Sequence, residues 1–261
     1  MSDELIVDLQ ANGILYLTMN RPEVHNAFDD LQVTRMTTAL KSAANNDAVR
    51  IVVLGSSGKS FSAGGDINYM RAMGTNTYNE NIEDASKLAD LMKTLNFFPK
   101  LTIARVQGAT MGGGVGLVSC CDLAIASDTA KFSLSEVRLG MIPATIAPYV
   151  IRAIGERAAR RLFTTAESIN APEAKQLGLL TTVCSQNQLD QVVSDVAQNA
   201  LKNSPMATQL AKKLVFDYAD GPVTADMIDG TVKDIANVRN SKEGREGLSA
   251  FLEKRKPDWV Q

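Results

Sequence analysis

Two glycine-rich stretches decide the fold of this chain: Phe61-Ser62-Ala63-Gly64-Gly65-Asp66 and Gly108-Ala109-Thr110-Met111-Gly112-Gly113-Gly114-Val115-Gly116. Each follows a β-branched apolar run, at residues 50–54 and 101–106, and each leads into a segment with a helical pattern. Glycine lets backbone N–H groups approach a ligand with no Cβ atom in the way. Two such turns can direct two N–H donors at one oxygen, which is the arrangement of an oxyanion hole in acyl or enolate chemistry.

Glycine-rich turns also have other interpretations. A single turn of this kind before a helix is usually only a structural turn. A phosphate-binding loop is excluded, because no Gly-Lys-Ser/Thr follows either stretch. The spacing of Gly112, Gly114 and Gly116 also differs from the dinucleotide-binding fingerprint. The oxyanion-hole interpretation therefore depends on the motifs that accompany the two turns.

The composition is that of an ordinary globular protein, with 45% hydrophobic and 21% charged residues in a chain of 261. A net charge of −2, with no basic cluster before the C-terminus, argues against binding to nucleic acid or to a membrane surface. The three cysteines, at positions 120, 121 and 184, are predicted to be buried free thiols in a reducing compartment. With His25 as the single histidine and no metal-ligand spacing, neither a histidine base nor a metal site is expected.

The N-terminal segment lacks the basic and apolar regions of a secretory signal and the Arg/Ser-rich pattern of a transit peptide. The longest apolar stretch is interrupted by Asp122 and is too short for a membrane span. These features predict a cytoplasmic protein with no membrane partner.

Strands and helices are predicted to alternate along the first part of the chain. A hairpin around Asn12-Gly13 is followed by strand–helix repeats, which favour an α/β core with right-handed crossovers. After Pro143 the pattern becomes mainly helical, with interruptions at Ser204-Pro205 and Gly221-Pro222. The predicted strands are 4–9, 13–19, 50–55, 101–107, 122–127, 131–134 and 180–184, and the predicted helices include 29–45, 146–154 and 156–166.

Further motifs accompany the two turns in a fixed order. They are residues 20–28, 61–66, Gln107-Gly108 with Gly112-Gly113-Gly114, 121–126, 132–143, Ala174-x-x-x-Gly178-Leu179 and 251–255. This ordered set resembles the enoyl-CoA hydratase/isomerase (crotonase) superfamily, and the resemblance runs over nearly the whole chain. A single one of these motifs would be weak, whereas the set in this order is highly specific.

The resemblance implies a fold, an assembly and a substrate class. The fold would be a crotonase-like ββα spiral core over residues 1–200, with a helical C-terminal trimerisation region over 201–261. The assembly would be a homotrimer or a dimer of trimers. The substrate would be an acyl-CoA thioester, and no separate cofactor is expected because coenzyme A is part of that substrate.

The resemblance also assigns the catalytic groups. The oxyanion donors would be the backbone N–H groups of Gly65 and Gly113, and Glu136 would be the acid–base group that exchanges a proton at the α-carbon. Partial burial of Glu136 would raise the proton affinity of its carboxylate. The alternative for Glu136 is a surface ion pair with Arg138 or Arg152.

One position departs from the family pattern. Hydratases with two glutamates carry the second one, which holds the attacking water, three residues after the middle glycine, and here that position is Gly116. Three explanations stay open at this point. Glu136 performs both steps, another carboxylate such as one from residues 66–83 positions the water, or the reaction needs one base only, as in Δ3,Δ2-enoyl-CoA isomerases.

Segments 62–70 and 133–144 resemble a bacterial group of methylglutaconyl-CoA and carboxygeranoyl-CoA hydratases of leucine and acyclic-terpene breakdown. A second carboxylate on such a substrate would need a cationic or hydroxyl partner. The candidates are Tyr69, Arg71, Arg138 and Thr145.

The coenzyme A contacts implied by the resemblance form two groups. They are Ala63, Gly65, Asp66 and Ile67 around the adenine, and Phe251 and Lys254 from the C-terminal helix of a neighbouring subunit. Lys254 also has a purely structural explanation, since cations are common at the C-terminal end of a helix.

Three functional hypotheses follow. The first is hydration of a 2-enoyl-CoA, such as a branched or carboxylated one, through the oxyanion hole and Glu136. The second is a Δ3,Δ2-enoyl-CoA isomerase. The third is a catalytically silent acyl-CoA-binding or RNA-binding relative, against which the retained glutamate, the two turns and the lack of a basic patch all argue.

Overall fold

The computed structural model describes residues 4–260, in two compact units. Unit 1 comprises residues up to Phe98 together with Thr102–Ser194, and unit 2 comprises Pro99–Leu101 and the residues from Asp195 onward. Within residues 4–260, none of the helices combines the length and hydropathy that a membrane span requires.

Unit 1 contains a mixed, mainly parallel sheet and a small second sheet. The strands are β1 Leu5–Leu9, β2 Ile14–Met19, β3 Ile51–Ser56, β4 Leu101–Val106, β5 Ala109–Met111, β6 Leu123–Ser127, β7 Lys131–Ser133, β8 Ser168–Asn170 and β9 Thr182–Cys184. The large sheet has the order β1-β2-β3-β4-β6-β9, and the small one has the order β5-β7-β8. The first two strands form the predicted antiparallel hairpin, whereas β2 with β3, β4 with β6 and β6 with β9 pair in parallel.

Capping side chains define the helix boundaries of unit 1. The helices are α1 Asp30–Ala44, α2 Ile67–Met73, α3 Tyr78–Asn96, α4 Gly113–Cys120, α5 Ala147–Thr165, α6 Ala171–Gln176 and α7 Leu189–Ala200, the last of which continues into unit 2. The Asp29 side chain accepts from the N–H of Gln32 at the start of α1. At the start of α3, Thr77 and Glu80 form a reciprocal capping box. Gly155, at φ 76°, interrupts α5 between the two helices predicted there.

The core of unit 1 explains why the parallel strands are apolar. All six residues of β3 are buried, as expected for a parallel strand covered on both faces. Helices α1 and α3 pack against each other, and α4 packs against both α3 and α5. The largest fully buried side chains include Phe61, Phe98 and Phe132. This packing fixes the ends of β3, β4 and β7, from which the two glycine turns and Glu136 emerge.

Unit 2 is helical, as predicted for the C-terminal part. Its helices are α8 Pro205–Tyr218, α9 Ala225–Asn240 and α10 Lys242–Leu252. Each begins at a capping hydroxyl, from Ser204, Thr224 or Ser241, that accepts from a backbone N–H of the first turn. The predicted interruptions coincide with the ends of these helices. An apolar cavity of about 990 Å³ lies between α8 and α9, lined by aliphatic side chains such as Leu210 and Ile235.

Candidate active site

The first glycine turn is held against the residue that precedes α1 by two backbone hydrogen bonds. Phe28 donates to the carbonyl of Gly64 over 2.7 Å, and Asp66 donates to the carbonyl of Phe28 over 2.8 Å. In parallel pairing of this kind the residue between the two bonded positions turns its own N–H to the opposite side. That residue is Gly65, and its N–H has no acceptor within residues 4–260.

The second glycine turn places another free donor at the beginning of α4. Gly112 has φ 48°, a left-handed conformation that favours glycine, and donates to the carbonyl of Ser133 over 2.9 Å. Gly113 is the first residue of α4. Its N–H is one of those that an α-helix leaves unpaired, and it has no acceptor in the described part of the chain. The helix dipole favours negative charge at this point.

The two turns are fastened to each other. Ser62 donates to the carbonyl of Ala109 over 3.1 Å, and Met111 donates to the carbonyl of Ser62 over 2.8 Å. A Cβ on Gly64 would be in van der Waals contact with the carbonyl oxygen of Met111, at 3.4 Å. A short two-strand contact therefore sets the relative position of the two free N–H groups.

Glu136 lies beside the second turn. It begins a 3-10 helix, Glu136–Leu139, just after β7, and a Cβ on Gly112 would stand only 2.9 Å from its Oε1. Its Oε2 is buried without a hydrogen-bond partner in the described residues. Burial raises the pKa of this carboxyl, since water is withdrawn from its charged form, and one hydrogen bond from its own backbone opposes the effect.

The alternative explanation for Glu136, a surface ion pair, does not hold. The Arg138 guanidinium donates instead to the carbonyl of Ala166 over 2.8 Å. Glu136 makes no ion pair within residues 4–260. An unpaired, half-buried carboxyl with a raised pKa is suited to carrying a proton to and from a bound molecule.

Both turns and Glu136 line one cavity of about 440 Å³ in unit 1. Its apolar wall includes Phe28, Val33, Met70, Leu88, Ile142 and Ile146. Its polar lining includes Asp30, Tyr69, Asp84, Lys87, Ser135, Glu136 and Thr145. A largely apolar cavity with a few convergent polar groups is typical of a small-molecule site. The cavity in unit 2 is larger, but aliphatic side chains dominate its lining, and none of the described residues that form it is a glycine.

The residues predicted to contact coenzyme A are distributed as follows. Ala63 and Gly65 line the cavity, and Asp66 lines an adjoining hollow of about 380 Å³. The Asp66 carboxylate pairs with Arg21 at 3.2 Å and accepts from the N–H of Asn68 at the start of α2. Ile67 is 71% exposed.

The other two predicted coenzyme A contacts belong to unit 2. Phe251 is in the last turn of α10 and Lys254 follows that helix. Both side chains are exposed.

The candidate partners for a second substrate carboxylate separate into two pairs. Tyr69 and Thr145 line the cavity. Arg71 and Arg138 lie outside its lining, and Arg71 donates to Asn68 over 2.9 Å.

Packing leaves no room for a side chain at Gly116, the position where the sequence lacks a second glutamate. A Cβ on Gly116 would stand 2.3 Å from Cγ2 of Ile146 and 3.2 Å from Sδ of Met92. Real Cβ atoms essentially never come closer than 3.0 Å to a neighbour. The apolar side chain of Ile146 thus occupies the space into which a side chain at position 116 would extend.

Sequence reasoning missed three charged residues of the cavity lining, Asp30, Asp84 and Lys87. Lys87 Nζ forms an ion pair with Asp30 Oδ1 at 2.9 Å. Residues 84, 87 and 88 are spaced by three and four along α3, which places them on one face of that helix. This spacing was the available signal, but the direction in which the face points depends on the packing of α3.

Residues 10–261 match the family described as enoyl-CoA hydratase/isomerase. The chain belongs to this family. A 2,3-dehydroadipyl-CoA hydratase of Escherichia coli is 31% identical to it over 262 residues, which cover 98% of each protein. The crystal structure of an enoyl-CoA hydratase from Shewanella pealeana is 42% identical, with a TM-score of 0.95, over 98% of this chain and 96% of that one. An enoyl-CoA hydratase/isomerase from Marinobacter aquaeolei is 34% identical, with a TM-score of 0.93, over 99% and 100%.

Membership of the enoyl-CoA hydratase/isomerase family confirms two predictions made from the sequence. The fold is the α/β crotonase fold with a helical C-terminal region. The protein is an enzyme of the lyase class that acts on an enoyl-CoA.

Proposed function

We propose that this enoyl-CoA hydratase/isomerase family member adds water to a 2-enoyl-CoA, using Gly65 and Gly113 as oxyanion donors and Glu136 as the acid–base group. The observation that carries the proposal is the composition of one cavity in unit 1. Two backbone N–H groups and one half-buried carboxyl, none of them with a hydrogen-bond partner from another residue within residues 4–260, line it together. These are the groups that enolate chemistry requires.

The chemistry follows from these groups. The thioester carbonyl accepts hydrogen bonds from Gly65 and Gly113, which draws electrons from the C2=C3 double bond. Water oxygen bonds to C3, one water proton leaves, and the negative charge moves to the thioester oxygen. Neutral Glu136 then gives its proton to C2. The sum is one water added across the double bond, and the proton lost from water restores the proton that Glu136 gave up.

A second candidate reaction is the conversion of a 3-enoyl-CoA to its 2-enoyl isomer. The closed position at Gly116 favours it, because a single carboxylate can remove a proton from C2 and return it to C4. This reaction uses the same oxyanion donors and the same glutamate but no water.

The lining supports an uncharged acyl group, which can be branched, over a carboxylated one. Among the described residues, Lys87 is the one cation of the cavity lining, and it is already paired with Asp30. Asp84 and Glu136 add further carboxyl groups. A second substrate carboxylate would find no unpaired cation among these residues, with the hydroxyls of Tyr69 and Thr145 as its remaining partners and Asp84 as a carboxylate that repels it.

The coenzyme A portion and the assembly belong to the same proposal. The backbone around Gly65, Asp66 and Ile67, with Ala63, would hold the adenine end. Phe251 and Lys254 would cover it from a neighbouring subunit of a homotrimer or a dimer of trimers. A cytoplasmic location completes this proposal.

A substrate panel tests the proposed reaction. Purified protein is given a straight-chain 2-enoyl-CoA, a branched 2-enoyl-CoA, methylglutaconyl-CoA and a 3-enoyl-CoA. Loss of enoyl ultraviolet absorbance together with a mass gain of one water from the uncharged 2-enoyl thioesters supports hydration. Conversion of the 3-enoyl-CoA alone, without a mass gain, would replace hydration by isomerisation, and no turnover of any thioester would refute both.

A further inference from the structure

Three carboxyl groups line the cavity in unit 1, and two of them already have a partner or a role. Glu136 is the proposed proton donor to C2, and Asp30 is ion-paired with Lys87 at 2.9 Å. The Asp84 carboxylate accepts no hydrogen bond and forms no ion pair within residues 4–260, and Lys87 acts on it only through its nearby charge. It is therefore the carboxylate of the lining that remains available to a small molecule in the cavity.

The surroundings of Asp84 suit a group that takes up a proton. Asp84 lies in the first half of α3 and is half-buried. Burial raises the pKa of its carboxyl, the nearby charge of Asp30 raises it further, and Lys87 opposes both effects. Within residues 4–260 the charges that act on Asp84 are those of Asp30 and Lys87, the adjacent Glu83 interacts with Lys87 at 4.0 Å, and Glu136 lines the same cavity.

Helix α4, whose residues also line the cavity, provides no carboxylate for this role. Position 116 is a glycine, and Ile146 and Met92 occupy the adjacent space. A carboxylate from α4 is thereby ruled out as the group that holds the water. The cavity instead receives the Asp84 carboxylate from α3.

We infer that Asp84 is the second acid–base group of the hydration reaction, which accepts a proton from the attacking water while Glu136 protonates C2. This inference rests on the proposed function. As the water oxygen bonds to C3, an O–H bond breaks and its proton moves to the Asp84 carboxylate. The C2=C3 electrons move to the thioester oxygen, return as the C2–H bond forms, and leave Glu136 ionised. Protonated Asp84 and ionised Glu136 then exchange their proton through solvent.

The experiment separates Asp84 from Glu136 by comparing two reactions of one site. Hydration of a 2-enoyl-CoA would need both carboxyl groups, whereas isomerisation of a 3-enoyl-CoA needs Glu136 alone. We expect Asp84→Asn to lower the hydration rate by about 10²–10⁴, the usual effect of losing an acid–base group, and to leave isomerisation unchanged. The control variant Glu83→Gln, one residue earlier and exposed, should change neither rate.

If Asp84→Asn lost both activities equally, Asp84 would have a structural role only. If its hydration rate were unchanged, Asp84 would have no role in the reaction. Either result overturns the inference. Wild type without hydration activity would refute the proposed function itself, which keeps the two failures distinguishable.

The wild-type pH profiles provide a test that needs no variant. Hydration should show a rising limb from Asp84 and a falling limb from Glu136, while isomerisation should show only the rising limb of Glu136. A hydration profile without its rising limb would overturn the inference.

Discussion

Replacing Gly116 by alanine tests whether packing, rather than chance, keeps a side chain out of this position. The added Cβ would stand 2.3 Å from Cγ2 of Ile146 and 2.9 Å from its Cβ. Ile146 is only 2% exposed and cannot move into solvent. Overpacking of this kind costs about 3 kcal/mol at the upper end. Alanine in place of glycine inside a helix returns about 1 kcal/mol.

Subtracting the gain in helix propensity from the cost of overpacking predicts that Gly116→Ala lowers the free energy of unfolding by about 2 kcal/mol. For a chain of this size that corresponds to a fall in melting temperature of about 4–8 °C. Thermal and urea unfolding followed by circular dichroism measure both quantities. Gly55→Ala, in strand β3, is a control for packing alone, because its Cβ would lie at an ordinary distance of 3.5 Å or more from its neighbours.

A second substitution checks that contact with Ile146 causes the loss of stability in Gly116→Ala. Ile146→Ala alone should cost about 2–5 kcal/mol, as for a buried isoleucine. Combined with Gly116→Ala it should cost less than the sum of the two single changes, by about 1–3 kcal/mol. A Gly116→Ala variant that is as stable as wild type, or additive effects in the double variant, would refute this reasoning. Gly116→Glu places a longer, charged side chain at the same point and should inactivate or unfold the enzyme rather than raise hydration.

Two further predictions concern the oxyanion hole and Glu136. Gly113→Pro removes the proposed N–H donor at the first position of α4, where proline is tolerated. Gly113→Ala is its control, because alanine keeps the N–H but introduces the same Cβ, 2.8 Å from Cε2 of Phe28. Turnover of Gly113→Pro should fall about 10²–10³ below that of Gly113→Ala, and equal rates in steady-state assays would argue against a donor role. Burial raises the pKa of the Glu136 carboxyl in the folded protein above 4.5. The folded state therefore favours the protonated carboxyl, and the stability that this proton adds is fully present below pH 4.5 and is lost as the pH rises through the folded-state pKa. Glu136→Gln should therefore stabilise the protein against urea at pH 8 more than at pH 4, and an equal effect at both pH values would contradict the assigned pKa direction.

The sequence predicted those parts of the fold whose signals are local. The hairpin at Asn12-Gly13, the interruption of α5 near Gly155 and the interruption at Ser204-Pro205 all depend on neighbouring residues. The strands β5 and β8 were not predicted. They have three residues each, and their pairing joins Thr110 to Phe132 and Phe132 to Ile169, positions far apart in the chain. The equally short β7 and β9 fall inside the predicted strands 131–134 and 180–184, whereas residues 109–111 and 168–170 show no strand periodicity of their own.

The candidate site divides in the same way. The motifs were sufficient to predict that Gly65, Gly113 and Glu136 lie in one site, because each residue follows directly on a predicted strand or turn. Motifs could not reveal that Ile146 fills the space at Gly116 or that Asp84 faces the cavity. Those contacts depend on how the beginning of α5 and one face of α3 pack against α4, which a single sequence does not specify.

The measurement that tests the central claim most directly is the turnover of Glu136→Gln against its affinity for an acyl-CoA. The side chain is proposed to move the proton, whereas the thioester oxygen is held by backbone N–H groups that the substitution leaves in place. We predict that kcat for a 2-enoyl-CoA falls by about 10²–10⁴ while the Kd of a saturated acyl-CoA, measured by calorimetry, stays the same. Turnover close to that of wild type, or a loss of affinity as large as the loss of turnover, would contradict the account.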